Sequence, residues 1–167
     1  MALAKIKSAA SGEPAIGIDK TARKNVAQCL SHLLAESYIL QLKTQYYHWN
    51  ITGPFFASLH PLLGTQYDAL AAAVDEIAER TRALGVFTTG TFREFAALAS
   101  IKEDKMLPAD WQSMIRNLVE AHELLIRSAR EWLISVQKAG DEVTADLFIG
   151  RLHEHEKAAW VLRSHLQ

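Results

Sequence analysis

The chain has 167 residues, 49% of them hydrophobic and 22% charged, and a formal net charge of −1. That length suits one domain with a real core, and a near-neutral body excludes a DNA-binding surface on the folded part itself. The single cysteine, Cys29, excludes an internal disulfide, which fits a reducing compartment.

The first residues hold no continuous apolar stretch of the secretion-signal kind. No run of about 18 apolar residues occurs anywhere, so no membrane span is expected, and a cytoplasmic protein is. Residues 1–18 are small, polar and basic, with Gly12, Pro14 and Gly17, and read as a flexible N-terminal tail. Residues 19–167 read as one helical domain, because helical periodicity dominates and strand alternation is missing.

The first helix is predicted to start at the N-cap Asp19 and to run to about Asn50. Val26, Leu30, Leu33, Leu34, Tyr38 and Leu42 mark its apolar side, and Thr52-Gly53-Pro54 breaks it. The second helix is predicted from about Ser58 to Leu84. Its stripe of Leu63, Tyr67, Leu70, Val74, Ile77 and Leu84 has bundle spacing, and Gly85 suits its C′ position. Pro61 is expected in its first turn, where proline is tolerated.

Val86 to Met106 is a long connection with a short helical piece, roughly Phe92 to Ser100. A third long helix follows Pro108-Ala109-Asp110 and carries Trp111, Ile115, Leu118, Leu125 and Val136, ending by Gly140. The fourth follows Asp141 and carries Phe148, Leu152, Ala159, Leu162 and Leu166. The fold class is therefore all-α: a ferritin-like four-helix bundle with a short helix in the long crossover between the second and third long helices.

Four residues stand out chemically: His48, His60, Asp75 and Glu79. Histidine with carboxylate suits iron, zinc or manganese. With His60 at zero and about 100° per residue, Gly64, Asp68, Ala71, Asp75 and Glu79 fall within roughly 20–100°, whereas the core stripe falls at roughly 240–340°. The second helix thus has a further face of small and ligand-type residues that points away from its own bundle. Asp75 lies about 22 Å along the axis from His60, and Glu79 nearly 28 Å. Metal–ligand bonds are about 2 Å long, so one chain cannot bring these groups to one ion. An antiparallel pairing of two such helices, with a two-fold axis near Asp68, sets His60 of one copy against Asp75 and Glu79 of the other. Gly64, Ala71 and Ala72 are small enough for that approach. The plainer reading is a solvated face, because acidic pairs one turn apart are common on exposed helices. Di-iron bundles with sites inside one chain use Glu-x-x-His on their helices, and the sequence has no Glu-x-x-His.

The run Tyr47-His48-Trp49-Asn50-Ile51-Thr52-Gly53-Pro54-Phe55-Phe56, then Leu59-His60, then Asp75-Glu76-Ile77-Ala78-Glu79-Arg80, resembles the signature of the Dps family of miniferritins. The likeness continues through Leu84-Gly85 and the crossover helix to His155-Glu156-Lys157-Ala158-Ala159-Trp160-Val161-Leu162-Arg163-Ser164. It implies a homododecameric shell that oxidises ferrous iron, often with hydrogen peroxide, stores the ferric product and so protects DNA. It places the ferroxidase centre at a two-fold interface, with His48 and His60 from one subunit and Asp75 and Glu79 from the other. Zinc or manganese are the expected competitors for iron. Trp49 is implied as an electron donor or trap, or as interface packing.

One departure stands out. The family usually has a carboxylate where this chain has Gly64, so weaker iron binding and slower oxidation are expected, above all at a second iron position. Asp68, about 6 Å further along the helix, is expected near the two-fold axis rather than as a substitute. The alternative function is a DNA-binding, compacting shell with an impaired ferroxidase site, nucleoid-associated through Lys5 and Lys7 of the tail. Asp141 and Asp146 open the fourth long helix, where the helix dipole favours acids; the resemblance offers them as lining of an iron-admitting pore. His32 and Glu36 are expected outside the site, His153 and His155 on a solvated or intersubunit face, and Cys29 as a small packed residue.

Overall fold

The computed structural model describes residues 12–167. Five helices carry them: α1 (Lys20–Asn50), α2 (Phe56–Ala83), α3 (Phe92–Leu98), α4 (Trp111–Lys138) and α5 (Glu142–Ser164), with no β-strand among the described residues. Asp19, Asp110 and Asp141 start α1, α4 and α5. Each aspartate accepts from backbone N–H groups that would otherwise have no partner in the first turn. α3 opens on a capping box, in which Thr91 accepts from the Glu94 N–H while the Glu94 carboxylate accepts from the Thr91 N–H.

The long helices α1, α2, α4 and α5 form the bundle. α1 packs on α2 and α4, and α5 packs on α4 and α2. The short turns between α1 and α2 and between α4 and α5 make those pairs antiparallel. Leu30, Leu33, Leu34, Leu40, Leu63, Ile77, Ile115, Leu118, Leu125 and Phe148 fill the interior. The crossover from α2 to α4 runs along α1 and carries α3. Tyr38 of α1 stacks on Phe95 of α3, with ring centroids 4.6 Å apart. The fully buried carboxylate of Glu36 accepts from Ser100 N (2.6 Å) and Ile101 N (3.0 Å). Further along, Asp104 pairs with Lys43 at 2.8 Å and accepts from the Tyr47 hydroxyl.

The remaining tie joins α2 to α5. Arg80 donates to both Asp141 oxygens (2.8 and 2.9 Å) and to Thr144 Oγ1. Burial raises the Asp141 carboxyl, but the Thr144 hydrogen bonds and the Arg80 charge outweigh it and hold it below the usual range.

Three expectations are corrected here. Leu42 is 41% exposed rather than core, because successive i+4 steps from Leu30 turn about 40° each and carry the series off the apolar face. α2 begins at Phe56, not Ser58, so Pro61 sits inside the helix beyond its first turn. There it removes the donor for the Ala57 carbonyl, and Ala57 is exposed, where water can replace it. Within the predicted tail, Glu13, Pro14 and Ile18 touch the bundle, while residues 15–17 are exposed. Glu13 pairs with Lys20 and Arg23, Arg23 donates to the Ile18 carbonyl, and Pro14 packs on Gly85.

Candidate metal centre

The turn after α1 reverses the chain within a few residues, and Gly53 at φ +108° makes that reversal possible. His48, near the end of α1, and His60, near the start of α2, therefore meet. Their rings stack at 3.8 Å between centroids, 22° from parallel. His48 Nδ1 lies 2.8 Å from the His60 carbonyl oxygen, and His60 Nδ1 lies 2.9 Å from that of His48. A carbonyl only accepts, so both Nδ1 atoms must donate, and the neutral rings carry their lone pairs on Nε2. This is how metal-binding histidines are commonly held: one nitrogen is fixed by a hydrogen bond and the other is left for the ion.

Two aromatic rings flank the pair, Phe56 stacked on His60 at 4.9 Å and Tyr67 edge-on to His48 at 5.2 Å. On the α2 side, Gly64 backs His48, and a Cβ on it would lie 3.4 Å from His48 Cε1. Phe56 and Tyr67 are parts of the site that the sequence reading missed. Phe56 lies one turn before His60, which was the available signal. Tyr67 belongs to the predicted core stripe but is only half-buried, against His48.

The carboxylates do not join this pair. Asp75 and Glu79 are exposed on α2, as is Asp68, at the axial distances already derived from the helix rise. Among the described residues no three His, Cys, Asp or Glu side chains converge into a metal-holding group. One chain thus presents two imidazoles at one level of α2 and two acids at another. Trp49 is 63% exposed, beside a groove lined by Ile39, Leu42, Tyr46 and Asp104.

The other candidates separate clearly. Asp141 is buried and spent on Arg80 and Thr144, so its carboxylate is not available to line a pore, whereas Asp146 is exposed. His153 is exposed on the single chain. His155 instead faces the bundle interior, where its Nδ1 is 3.0 Å from Nδ1 of His122. Adjacent helix positions diverge, and position 155 belongs with the buried Leu152, Ala159 and Leu162. Burial, with Arg151 nearby, pulls the His122 pKa to about 4 and that of His155 well below its usual value. His32 lies outside the site, bonded to the Leu98 carbonyl and stacked on Trp132, and Glu36 serves the crossover. Cys29 is half-buried and packs on the core, and burial pushes its thiol pKa up. Lys5 and Lys7 lie outside the described residues. No described helix is long and apolar enough to cross a membrane.

A bundle of this topology, with imidazoles at the α1–α2 turn and acids further along α2, defines a ferritin-like protein, and the family profile described as a ferritin-like domain matches residues 27–167. Comparison with known proteins narrows this. The DNA protection during starvation protein 2 of Bacillus anthracis is 32% identical over 86% of this chain and 97% of its own. The Dps protein of Vibrio cholerae O1, a member of a broad superfamily of ferritin-like diiron-carboxylate proteins, superposes with a TM-score of 0.87 at 32% identity, covering 96% of this chain and 100% of that one. An uncharacterized low temperature-induced protein of Nostoc is 41% identical over 91% of this chain and 86% of its own. The chain belongs to the Dps family of miniferritins.

Proposed function

We propose that the protein binds and oxidises ferrous iron at sites shared between two copies, stores the ferric product inside a homo-oligomeric shell and thereby limits oxidative damage to DNA. The observation that carries this is the pair of imidazoles with both Nδ1 atoms tied to backbone carbonyls and both Nε2 lone pairs left for an ion. Asp75 and Glu79 on a two-fold mate supply the oxygens that one chain cannot bring to them. A dodecamer is the assembly that the family resemblance favours. The donor set of two nitrogens and two carboxylates also suits zinc and manganese, which are the expected competitors.

In the reaction, His48 and His60 hold the ferrous ion by neutral nitrogen, and the two carboxylates favour the harder ferric product. Hydrogen peroxide is the proposed oxidant. It takes one electron from each of two ferrous ions and, with two protons, leaves as two waters. Trp49, which follows His48 in the chain and is exposed, has the proposed role of supplying or trapping an electron. Asp146 is the remaining pore candidate.

An anaerobic ferrous titration followed by peroxide, read by the absorbance of the ferric product, tests the reading. Saturable ferrous binding and a fall of more than about tenfold in oxidation rate for Asp75→Ala or Glu79→Ala, a size typical of disturbed metal sites, are the expected results. Unchanged rates in both variants would eliminate the assignment.

Gly64 favours a second reading, a DNA-coating shell in the cytoplasm whose oxidation is impaired. It expects a gel shift that weakens steeply with salt and disappears when residues 1–11, with Lys5 and Lys7, are removed.

A further inference from the structure

We infer that Tyr47 and Asp104 form a one-electron sink, in which the Tyr47 phenol gives an electron to a hydroxyl radical while its proton passes to Asp104. The inference goes beyond the iron chemistry proposed above and does not rest on it.

A phenol by itself is hard to oxidise. The radical cation it would become is a very strong acid, so the electron leaves readily only when a base is already hydrogen-bonded to the hydroxyl. The chain has four tyrosines. Among the described residues, Tyr47 is the one whose hydroxyl donates to a carboxylate, Oδ2 of Asp104. Asn117 Nδ2 donates to the same hydroxyl oxygen at 3.1 Å. An amide N–H cannot accept, so the single phenol proton is committed to the carboxylate. Lys43 takes the other oxygen of Asp104, Oδ1, at 2.8 Å. These contacts fix the direction of the phenol, and its ring is fully buried. Burial keeps a phenoxyl radical from coupling with a second radical in solution.

The surroundings connect this buried phenol to the surface. The Tyr46 ring lies 6.0 Å from that of Tyr47. Tyr46 and Trp49 line one groove with Lys43 and Asp104, and Trp49 is 63% exposed. A radical arriving from solution therefore meets Trp49 or Tyr46 first, and Tyr47 refills the electron it removes. The same groove reaches Asp104, so the transferred proton has a way out to water.

The step balances. The hydroxyl radical gains one electron and becomes hydroxide. The O–H bond of Tyr47 breaks, and the proton forms an O–H bond on Asp104. Tyr47 is left as a neutral phenoxyl radical. Once Asp104 returns the proton to hydroxide through water in the groove, one phenol and one hydroxyl radical have become one phenoxyl radical and one water.

Pulse radiolysis of the full-length assembled protein, without metal, tests the inference. Azide radical serves as the probe, because it oxidises tryptophan and tyrosine by one electron and absorbance follows each product. In the unaltered protein the tryptophyl signal is expected to decay into a tyrosyl signal, more slowly in heavy water. Tyr47→Phe should lose most of the tyrosyl signal and prolong the tryptophyl one, although the other tyrosines remain. Asp104→Asn keeps an acceptor but no base and should lose as much. An undiminished tyrosyl yield in either variant overturns the inference. Should a variant fail to assemble, electron–nuclear double resonance on the freeze-trapped radical of the unaltered protein decides. Two exchangeable protons are expected at the phenoxyl oxygen, one from Asp104 and one from Asn117, and fewer than two overturns the assignment.

Discussion

At the scale of single residues, the two histidine pairs show opposite uses of one side chain. His48 and His60 keep their Nε2 atoms free at the surface of the bundle. His122 and His155 are sealed inside it, and neither Nε2 has a hydrogen-bond partner. Their depressed affinity for protons has a definite sign. The unfolded chain binds protons at these positions below about pH 6.5, while the folded chain resists them until about pH 4 at His122. Stability is therefore complete above that upper value and is lost as the pH falls through the window. For His122 alone the loss is on the order of 3 kcal/mol. Thermal melts between pH 7 and pH 4 should show a falling Tm, and the slope should flatten in a His122→Phe/His155→Leu variant. A slope unchanged by that double substitution would assign the acid sensitivity to other groups.

At the scale of elements, the buried carboxylates decide where the crossover and α5 sit. Glu36 accepts two backbone N–H groups from the chain beyond α3. Glu36→Ala leaves the buried Ile101 N–H without an acceptor, while the exposed Ser100 N–H can turn to water, and should cost roughly 1–3 kcal/mol, read as a lower urea midpoint. Asp141→Ala removes a helix cap and strands Arg80, and a loss of roughly 2–4 kcal/mol is expected there as well. Gly85 has φ +79° and receives Pro14 within 2.7 Å of the place a Cβ would occupy. Gly85→Ala should therefore cost at least about 1 kcal/mol and loosen residues 13–18.

These elements also mark what the sequence made legible. The three aspartate caps, the Gly53 break and the leucine stripes located all four long helices to within a few residues, because caps and periodicity are local signals. The destinations of Glu36, Asp141 and His155 were not legible. Each is settled by a partner more than thirty positions away, which helical spacing cannot report. The imidazole pair was named from spacing and motif, but its reciprocal backbone bonds depend on the shape of the turn.

At the scale of the whole molecule, a subunit left alone would expose much apolar surface. Trp49 and Trp160 are each 63% exposed and Phe92 73%, and large aromatic rings of this kind are enriched where subunits meet. Light scattering is expected to find an assembly far heavier than 18.6 kDa. Ala71, on the same face of α2 as the acids, tests the proposed pairing without touching a ligand. Ala71→Arg should push the two copies apart and lower ferrous oxidation by about tenfold or more, with His48, His60, Asp75 and Glu79 all intact. The latch between the two imidazoles has one more consequence. Because it closes within a single chain, half of each proposed binding site is ready before any partner arrives, and the captured ion becomes a rivet between neighbours. Mass action then runs both ways: loaded shells should resist dilution better than empty ones, and crowded subunits should hold their ions more tightly.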